Sequence, residues 1–295
     1  MSRFFSFIMR IGFSSMALEQ STLFKHGHGF VTERALLDGM LDWVRQSLEF
    51  GERNEFEFAE IILESPLVDN DDNLAELRDL IESFKIPVNF HAPFINNNII
   101  DYDYQLRQGS IREYEIAIDF INTLKNPPAC VTVHPGHLSS YLMPIYSGVR
   151  AIYFEQALVR LGAKSWPETT NICFESLPIS SNFLNKIDEI RAFVNEAYFD
   201  KFKLTLDTSH LWICEDMAGF DPFFENFGNR IMNMHFVDNR TKDNDPHYPV
   251  GKGVIDFEKI ARCMKKYHYD GDVVVEHGEP DDALVTRDYL RSILF

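Results

Sequence analysis

The feature that most constrains this chain is a short apolar run that ends in a histidine or a carboxylate and recurs six times. Each run has four or five residues, is rich in branched or aromatic side chains, and is followed by turn residues such as Ala92-Pro93 or Pro135-Gly136. This pattern is typical of a buried parallel strand, whose last residue emerges at the carboxyl edge of a sheet. The six terminal residues are His91, His134, Glu175, Asp207, His235 and Glu276.

The spacing of these residues predicts the fold. They are separated by 43, 41, 32, 28 and 41 residues, each long enough for a helix and two loops. Right-handed strand-helix-strand units place all strand ends on one rim, which carries the active site in an eight-stranded barrel. Two earlier strands, at 9–14 and 56–64, complete the count. We therefore expect an α/β fold, a single (β/α)8 TIM barrel over residues 1–295, with residues 1–8 as a flexible extension.

Apolar residues at three-to-four spacing predict the intervening helices. The predicted helices cover residues 31–49, 73–84, 108–124, 148–161, 185–199, 221–227, 256–267 and 281–294.

One further acid lies in a predicted strand. Glu57, in the alternating run 56–64, is a candidate for the rim or, equally, a solvated acid.

Composition limits the class of protein. A chain of 295 residues with 45% hydrophobic content suits one large domain. Its four cysteines have no CxxC spacing, so we interpret them as reduced residues of a cytoplasmic protein. The apolar segment 4–9 is too short for a signal sequence, and no later segment approaches membrane-spanning length.

The net charge of −17 argues against a general affinity for nucleic acid. It does not argue against a local cationic site, because bound divalent ions dominate the field around them. A small anionic or sugar-like substrate is therefore compatible with an acidic protein. The sequence leaves the oligomeric state open.

Three further residues extend the set of candidate ligands. His210 follows Asp207 by three residues, where the chain can turn into a helix. Asp245 and His247 are two residues apart, and on an extended segment such side chains point the same way, so they can share one ion. Gly251-Lys252-Gly253 would let this loop fold tightly over the site.

The candidate ligands are five histidines and four carboxylates. These nine groups are too many for one ion with four to six ligands. Nitrogen and carboxylate ligands together favour zinc, manganese or iron over magnesium or calcium. The sequence predicts between one and three divalent ions per chain, zinc first.

The ordered motifs HAP, HPG, FES, LDTSH, HFVDN, DPHYPVGKG and VEHGEP resemble the xylose isomerase-like barrel superfamily, most of all its endonuclease IV branch, over nearly the whole chain. The resemblance implies three ions. His91, His134 and Glu175 would bind the first, and Glu175 would bridge to a second, completed by Asp207, His235 and Glu276. The third would take His210, Asp245 and His247.

The chain also departs from the DNA-repair branch. Ser176-Leu177-Pro178-Ile179 follows the bridging glutamate in place of an amide and a glycine-rich turn, although Phe94 keeps an aromatic residue near the site. Lys and Arg are not concentrated in the rim loops, where Arg240, Lys242 and Lys252 are the main cations.

Two functions therefore stay open. The first is a sugar or sugar-phosphate isomerase or epimerase, in which Glu175, Asp207, His235 and Glu276 hold one ion. Glu175 and Glu276 would serve as acid and base, and His91 and His134 would orient substrate hydroxyls. The second is a trinuclear zinc phosphodiesterase of the endonuclease IV type, which assigns all nine groups.

Overall fold

The structure is a computed structural model that describes residues 9–17, 32–146, 148–277 and 279–295. The predicted extension at residues 1–8 lies outside the described residues. No helix in these ranges is long and apolar enough to span a bilayer.

Eight parallel strands close into a barrel in sequence order, so the predicted α/β TIM barrel is confirmed. Strand β8 pairs with β1 through Ile11 and Val273, which closes the ring. The strands are β1 Ile11–Ser14, β2 Ala59–Ile62, β3 Val88–His91, β4 Cys130–Val133, β5 Asn171–Glu175, β6 Lys203–Asp207, β7 Ile231–Phe236 and β8 Asp272–Val275.

Helices follow the strands and cover the outside of the barrel. They are α1 Glu33–Arg53, α2 Asp71–Glu82, α3 Tyr104–Ile121, α4 Met143–Tyr146, α5 Arg150–Gly162, α6 Ile187–Val194, α7 Thr208–Glu215, α8 Phe220–Phe227, α9 Phe257–Lys266 and α10 Pro280–Leu294. Short 3-10 helices lie at Ser15–Ala17, Ile179–Ser181 and Ala197–Phe199. The helix predicted over 185–199 is therefore wrong beyond Val194: the backbone is extended at Glu196, so α6 ends and a separate 3-10 turn follows.

The core between strands and helices is rich in aromatic side chains. Phe154 on α5 packs edge-on against Phe174, Phe183 and Phe193, each with ring centroids 5.2 Å apart. Such pairs add about 0.5–1.5 kcal/mol each beyond the area they bury. This packing fixes β5, which ends at Glu175, against its neighbours.

Candidate metal centre

All six strand-end residues lie at the carboxyl rim of the barrel. His91, Glu175 and Asp207 are the last residues of β3, β5 and β6, and His235 is the next-to-last residue of β7. His134 and Glu276 follow β4 and β8 by one residue. The parallel barrel brings these six residues, spread along the chain from His91 to Glu276, to one rim.

Glu175 is the centre of this arrangement. Its Oε2 lies 3.4 Å from His91 Nε2 and 3.1 Å from His134 Nε2. Its Oε1 lies 3.3 Å from His210 Nδ1 and 3.6 Å from His235 Nδ1. One carboxylate that is only 3% exposed therefore faces four imidazoles.

Asp207 links the end of β6 to the start of α7. It is the N-cap of the helix, where its Oδ1 accepts a hydrogen bond from the backbone N–H of His210 at 2.7 Å. This cap is the local reason that the chain turns into a helix at Thr208 and brings His210 back toward the site. The other oxygen, Oδ2, is buried and has no hydrogen-bond partner among the described residues.

His235 and Glu276 face each other beside Glu175. His235 Nδ1 and Glu276 Oε2 are 2.8 Å apart, yet neither atom has a hydrogen bond of acceptable geometry within the described chain. This close approach of two buried polar atoms with no hydrogen bond between them fits two ligands of one cation.

The third cluster is formed by His210, Asp245 and His247. Asp245 Oδ2 lies 2.7 Å from His210 Nε2 and 3.1 Å from His247 Nε2, and its Oδ1 accepts a 2.5 Å hydrogen bond from Ser209 Oγ. The segment is not regularly extended, because His247 has a φ of 51°. The two side chains converge on one point as predicted, but not through the extended geometry from which this was predicted.

The loop that carries Asp245 and His247 is held by the buried Asp238. Its Oδ2 accepts hydrogen bonds from the N–H groups of Gly251 and Gly253 at 2.9 and 2.7 Å, and its Oδ1 accepts one from Ile255 at 3.1 Å. A Cβ on Gly253 would lie 2.2 Å from Asp238 Oδ1, so this close approach requires glycine. The glycine-rich segment folds the loop tightly, as expected.

Two glutamates of the segment 56–64 differ in position. Glu57 precedes β2, is exposed, and accepts a hydrogen bond from the N–H of Ile11 at the amino end of β1, so of its two predicted roles the solvated acid is right and the rim position is wrong. Glu60, within β2, is fully buried in the barrel, and its Oε1 lies 3.3 Å from His235 Nε2. An acid in the middle of an apolar strand was the signal that could have identified it.

The clustered charges change the pKa values of the site. Burial raises the pKa of Glu175, but the charge of His235 and the hydrogen bond from His134 outweigh it and hold that pKa well below its usual range. Burial raises the pKa of Asp207 to about 7. Burial lowers the pKa of His247, but the hydrogen bond to Asp245 and the neighbouring carboxylates outweigh burial and raise that pKa to about 9.

The donor set fits divalent cations. Groups of three imidazole and carboxylate atoms lie within 4.8 Å of one another in His91/His134/Glu175, His210/Asp245/His247, Glu175/Asp207/His210 and Glu60/His235/Glu276. The buried atoms Asp207 Oδ2, His235 Nδ1 and Glu276 Oε2 have no hydrogen-bond partner in the described chain. Since burying unpaired polar groups is costly, a bound ion is the natural partner for them.

A cavity of about 620 Å³ opens above these residues. The apolar side chains of Phe94, Leu177 and Pro178 line it, and Ser180, Ser181 and His137 add polar groups. The Phe94 ring packs on His91 and His134, with centroids 4.9 and 5.2 Å apart. Among the described lining residues there is no Lys or Arg. The volume suits a small ligand.

The chain belongs to the xylose isomerase-like TIM barrel family, whose model matches residues 48–293. It is similar to two uncharacterized proteins of Methanocaldococcus jannaschii. MJ1311 is 24% identical over 84% of both chains, and MJ1614 is 23% identical over 73% of this chain and 81% of that protein.

Solved structures of sugar epimerases share the fold. A D-tagatose 3-epimerase-like protein superposes with a TM-score of 0.76 at 20% identity and covers 97% of both chains. D-allulose 3-epimerase from Methylomonas sp., in complex with D-allulose, superposes with a TM-score of 0.71 at 17% identity over 97% of both chains. The 3-keto-D-glucoside 4-epimerase of E. coli superposes with a TM-score of 0.62 at 18% identity over 96% of this chain and 99% of that one.

Proposed function

We propose that this protein is a divalent-metal-dependent isomerase or epimerase of a sugar or sugar phosphate. Glu175, Asp207, His235 and Glu276, at the ends of four consecutive strands, would hold the principal ion. Zinc is the first expectation, and manganese and iron fit the same nitrogen and carboxylate donors. The sugar epimerases among the structural neighbours support this reaction class.

The observation that carries the proposal is the set of buried atoms without partners around Glu175. His235 Nδ1, Glu276 Oε2 and Asp207 Oδ2 are buried and have no hydrogen bond in the described chain. A bound divalent ion polarises a carbonyl oxygen, which acidifies the neighbouring C–H bond of a ketose.

Two carboxylates in the same pocket can then transfer the proton. One of Glu175 and Glu276 takes the proton from the carbon beside the carbonyl, and the other returns a proton to the resulting enediolate carbon. The histidines that contact Glu175, His91 and His134, would orient substrate hydroxyls. Phe94 and Leu177 line the cavity with apolar side chains, which would limit the access of water to the transferred proton.

Proton exchange tests this function directly. The purified protein, loaded with Mn²⁺ or Zn²⁺, is incubated in D₂O with D-fructose, D-tagatose and D-allulose, and with their phosphates. We expect deuterium at the carbon beside the carbonyl by NMR and a loss of exchange after chelation. A metal-loaded protein that exchanges no proton with any of these ketoses would contradict the proposal.

A second function is supported by the cluster of His210, Asp245 and His247. A one-ion isomerase leaves this cluster without a role, whereas a trinuclear phosphodiesterase uses all nine groups. In that reading, three ions would neutralise charge on the attacking and leaving oxygens of a phosphoester. The acidic chain and the absence of Lys and Arg from the described cavity lining weigh against a DNA substrate.

Asp245→Asn separates the two functions. A three-ion hydrolase should lose one metal equivalent and most of its activity, since one ligand set is broken. A one-ion epimerase should keep its metal content and lose far less. Metal analysis, ketose exchange and cleavage of an abasic duplex are measured on both proteins. Three equivalents with cleavage would replace the epimerase proposal, and one equivalent with exchange would exclude the hydrolase.

A further inference from the structure

We infer that Glu60 is a positioning residue that holds His235 in the tautomer whose Nδ1 is free to bind a cation. The inference rests on the metal dependence proposed above. It concerns a residue inside the barrel that lies below the cavity and is not among its lining residues.

Glu60 has few partners for a buried carboxylate. Its side chain is 0% exposed, and its Oε2 accepts a 3.3 Å hydrogen bond from Asn233 Nδ2. Its Oε1 has no hydrogen bond within the described residues, and the atom that it faces is His235 Nε2 at 3.3 Å. An unpaired carboxylate oxygen in this position is costly, so a proton on His235 Nε2 is its natural partner.

The neighbouring amide does not compete for this position. Asn233 Nδ2 lies 3.2 Å from His235 Nε2, but it also has two oxygen acceptors, Glu60 Oε2 at 3.3 Å and Thr132 Oγ1 at 3.1 Å. An amide nitrogen carries two protons for these three contacts, and we assign them to the two oxygens, which leaves none for His235 Nε2. His235 Nε2 is then left to carry its own proton and to donate it to Glu60 Oε1.

The position of this proton decides what the other ring nitrogen can do. A neutral imidazole has one protonated nitrogen, and the hydrogen bond at one nitrogen sets the role of the other. With the proton on Nε2, the lone pair of Nδ1 faces Glu276 Oε2 at 2.8 Å and Glu175 Oε1 at 3.6 Å. With the proton on Nδ1, that nitrogen would have no lone pair for a cation beside Glu175 and Glu276.

A carboxylate behind a histidine ligand fixes the ring and increases its basicity, and its loss typically lowers metal affinity about 10–100-fold. Glu60→Leu removes the acceptor, and Glu60→Gln keeps an acceptor oxygen without the charge. Glu57→Gln is a matched control on the same segment, because Glu57 is exposed at the other end of β2.

The test is the affinity of the metal-free protein for Mn²⁺ alone, by titration calorimetry, with thermal denaturation as a check on folding. We expect the dissociation constant to rise about 10-fold in Glu60→Gln and about 100-fold in Glu60→Leu, and to stay unchanged in Glu57→Gln. Wild-type affinity in both Glu60 variants would overturn the inference and leave the proposed function standing. A wild-type protein that binds no Mn²⁺, Zn²⁺ or Fe²⁺ would overturn both.

A second measurement needs no variant at Glu60. Long-range ¹H–¹⁵N correlation spectra of the zinc-loaded wild-type protein report which nitrogen of each histidine carries the proton, and His235→Gln assigns the signal. We expect His235 to be protonated at Nε2. Protonation at Nδ1, or a zinc-bound Nε2, would overturn the inference even if every Glu60 variant failed to fold.

Discussion

Buried carboxylates at the two ends of the barrel differ in their hydrogen-bond partners. At the amino end, Asp272 receives two hydrogen bonds from Arg10, at 2.8 and 2.5 Å, and a third from Asn89 at 2.7 Å. At the carboxyl end, Asp207 and Glu276 each keep a buried oxygen without a hydrogen bond in the described chain.

This difference separates stability from function. A buried anion needs a compensating charge or hydrogen bonds. The chain itself supplies them to Asp272, so the amino end is complete. At the carboxyl end the neighbours of the acids are histidines, which can bind an ion as well as carry a proton. The carboxyl end, where buried carboxylate oxygens have no hydrogen bond in the described chain, is therefore the end suited to an external cation.

The largest expected effect is the loss of activity in Glu175→Gln. Glu175 contacts four imidazoles and is a candidate for proton transfer, so ketose proton exchange should fall about 10²–10⁴-fold. The rate of deuterium incorporation is the measurement, and Asp272→Asn is the control from the other end of the barrel. Exchange within threefold of wild type would remove Glu175 from the reaction.

Metal binding should stabilise the carboxyl end. With Zn²⁺ at about 100 times its dissociation constant, mass action predicts about 2.7 kcal/mol of added stability, measured by chemical denaturation with and without the ion. Asp207→Asn should reduce this gain, because Asp207 supplies one of the unpaired oxygens. An equal gain in the variant would exclude Asp207 as a ligand.

Asp272→Asn should lower the stability of the fold and leave metal binding unchanged. Removing a charged hydrogen-bond acceptor that serves Arg10 and Asn89 should lower the free energy of unfolding by about 1.5–3 kcal/mol. Its affinity for Mn²⁺ should match that of wild type, because the change lies at the other end of the barrel. A loss of affinity would show that the two ends are coupled.

The smallest effect is the pH dependence of the metal-free protein. Folding raises the pKa of His247 from 6.5 to about 9, so its stabilising contribution is complete below pH 6.5 and is lost as the pH rises through 9. Folding also raises the pKa of Asp207 from 3.8 to about 7. This group therefore also lowers stability as the pH rises, from 3.8 up to about 7.

We therefore expect the melting temperature of the metal-free protein to fall between pH 6.5 and 9, by about 2–4 °C for each kcal/mol lost. His247→Asn should flatten the curve. Zn²⁺ should reverse the trend, because ligand histidines must lose protons to bind it. A rise in the melting temperature of the metal-free protein over this range would contradict the assignment of His247.

The sequence predicted the rim well because strand ends are marked by local chemistry. Apolar runs that stop at His91, Glu175 or Asp207 are visible in the sequence, and parallel topology brings such ends together without further information. The convergence of Asp245 with His210 was implied by the family resemblance and not by spacing. The assignment of these residues to ions stays a prediction.

Glu57 and Glu60 show what local patterns cannot supply. Glu57 and Glu60 lie in one alternating segment, and only the register of β2 against β1 and β3 places the first at the amino end and the second beneath His235. Register depends on contacts far along the chain. The partner of a buried acid therefore had to be found in three dimensions.

The most direct test of the account is anomalous diffraction from crystals of this protein grown with Zn²⁺. We predict a peak about 2.0–2.2 Å from atoms of Glu175, Asp207, His235 and Glu276. An ordered site without anomalous density, with these four side chains bonded only to one another and to water, would contradict the claim that the carboxyl end of this barrel is completed by a cation.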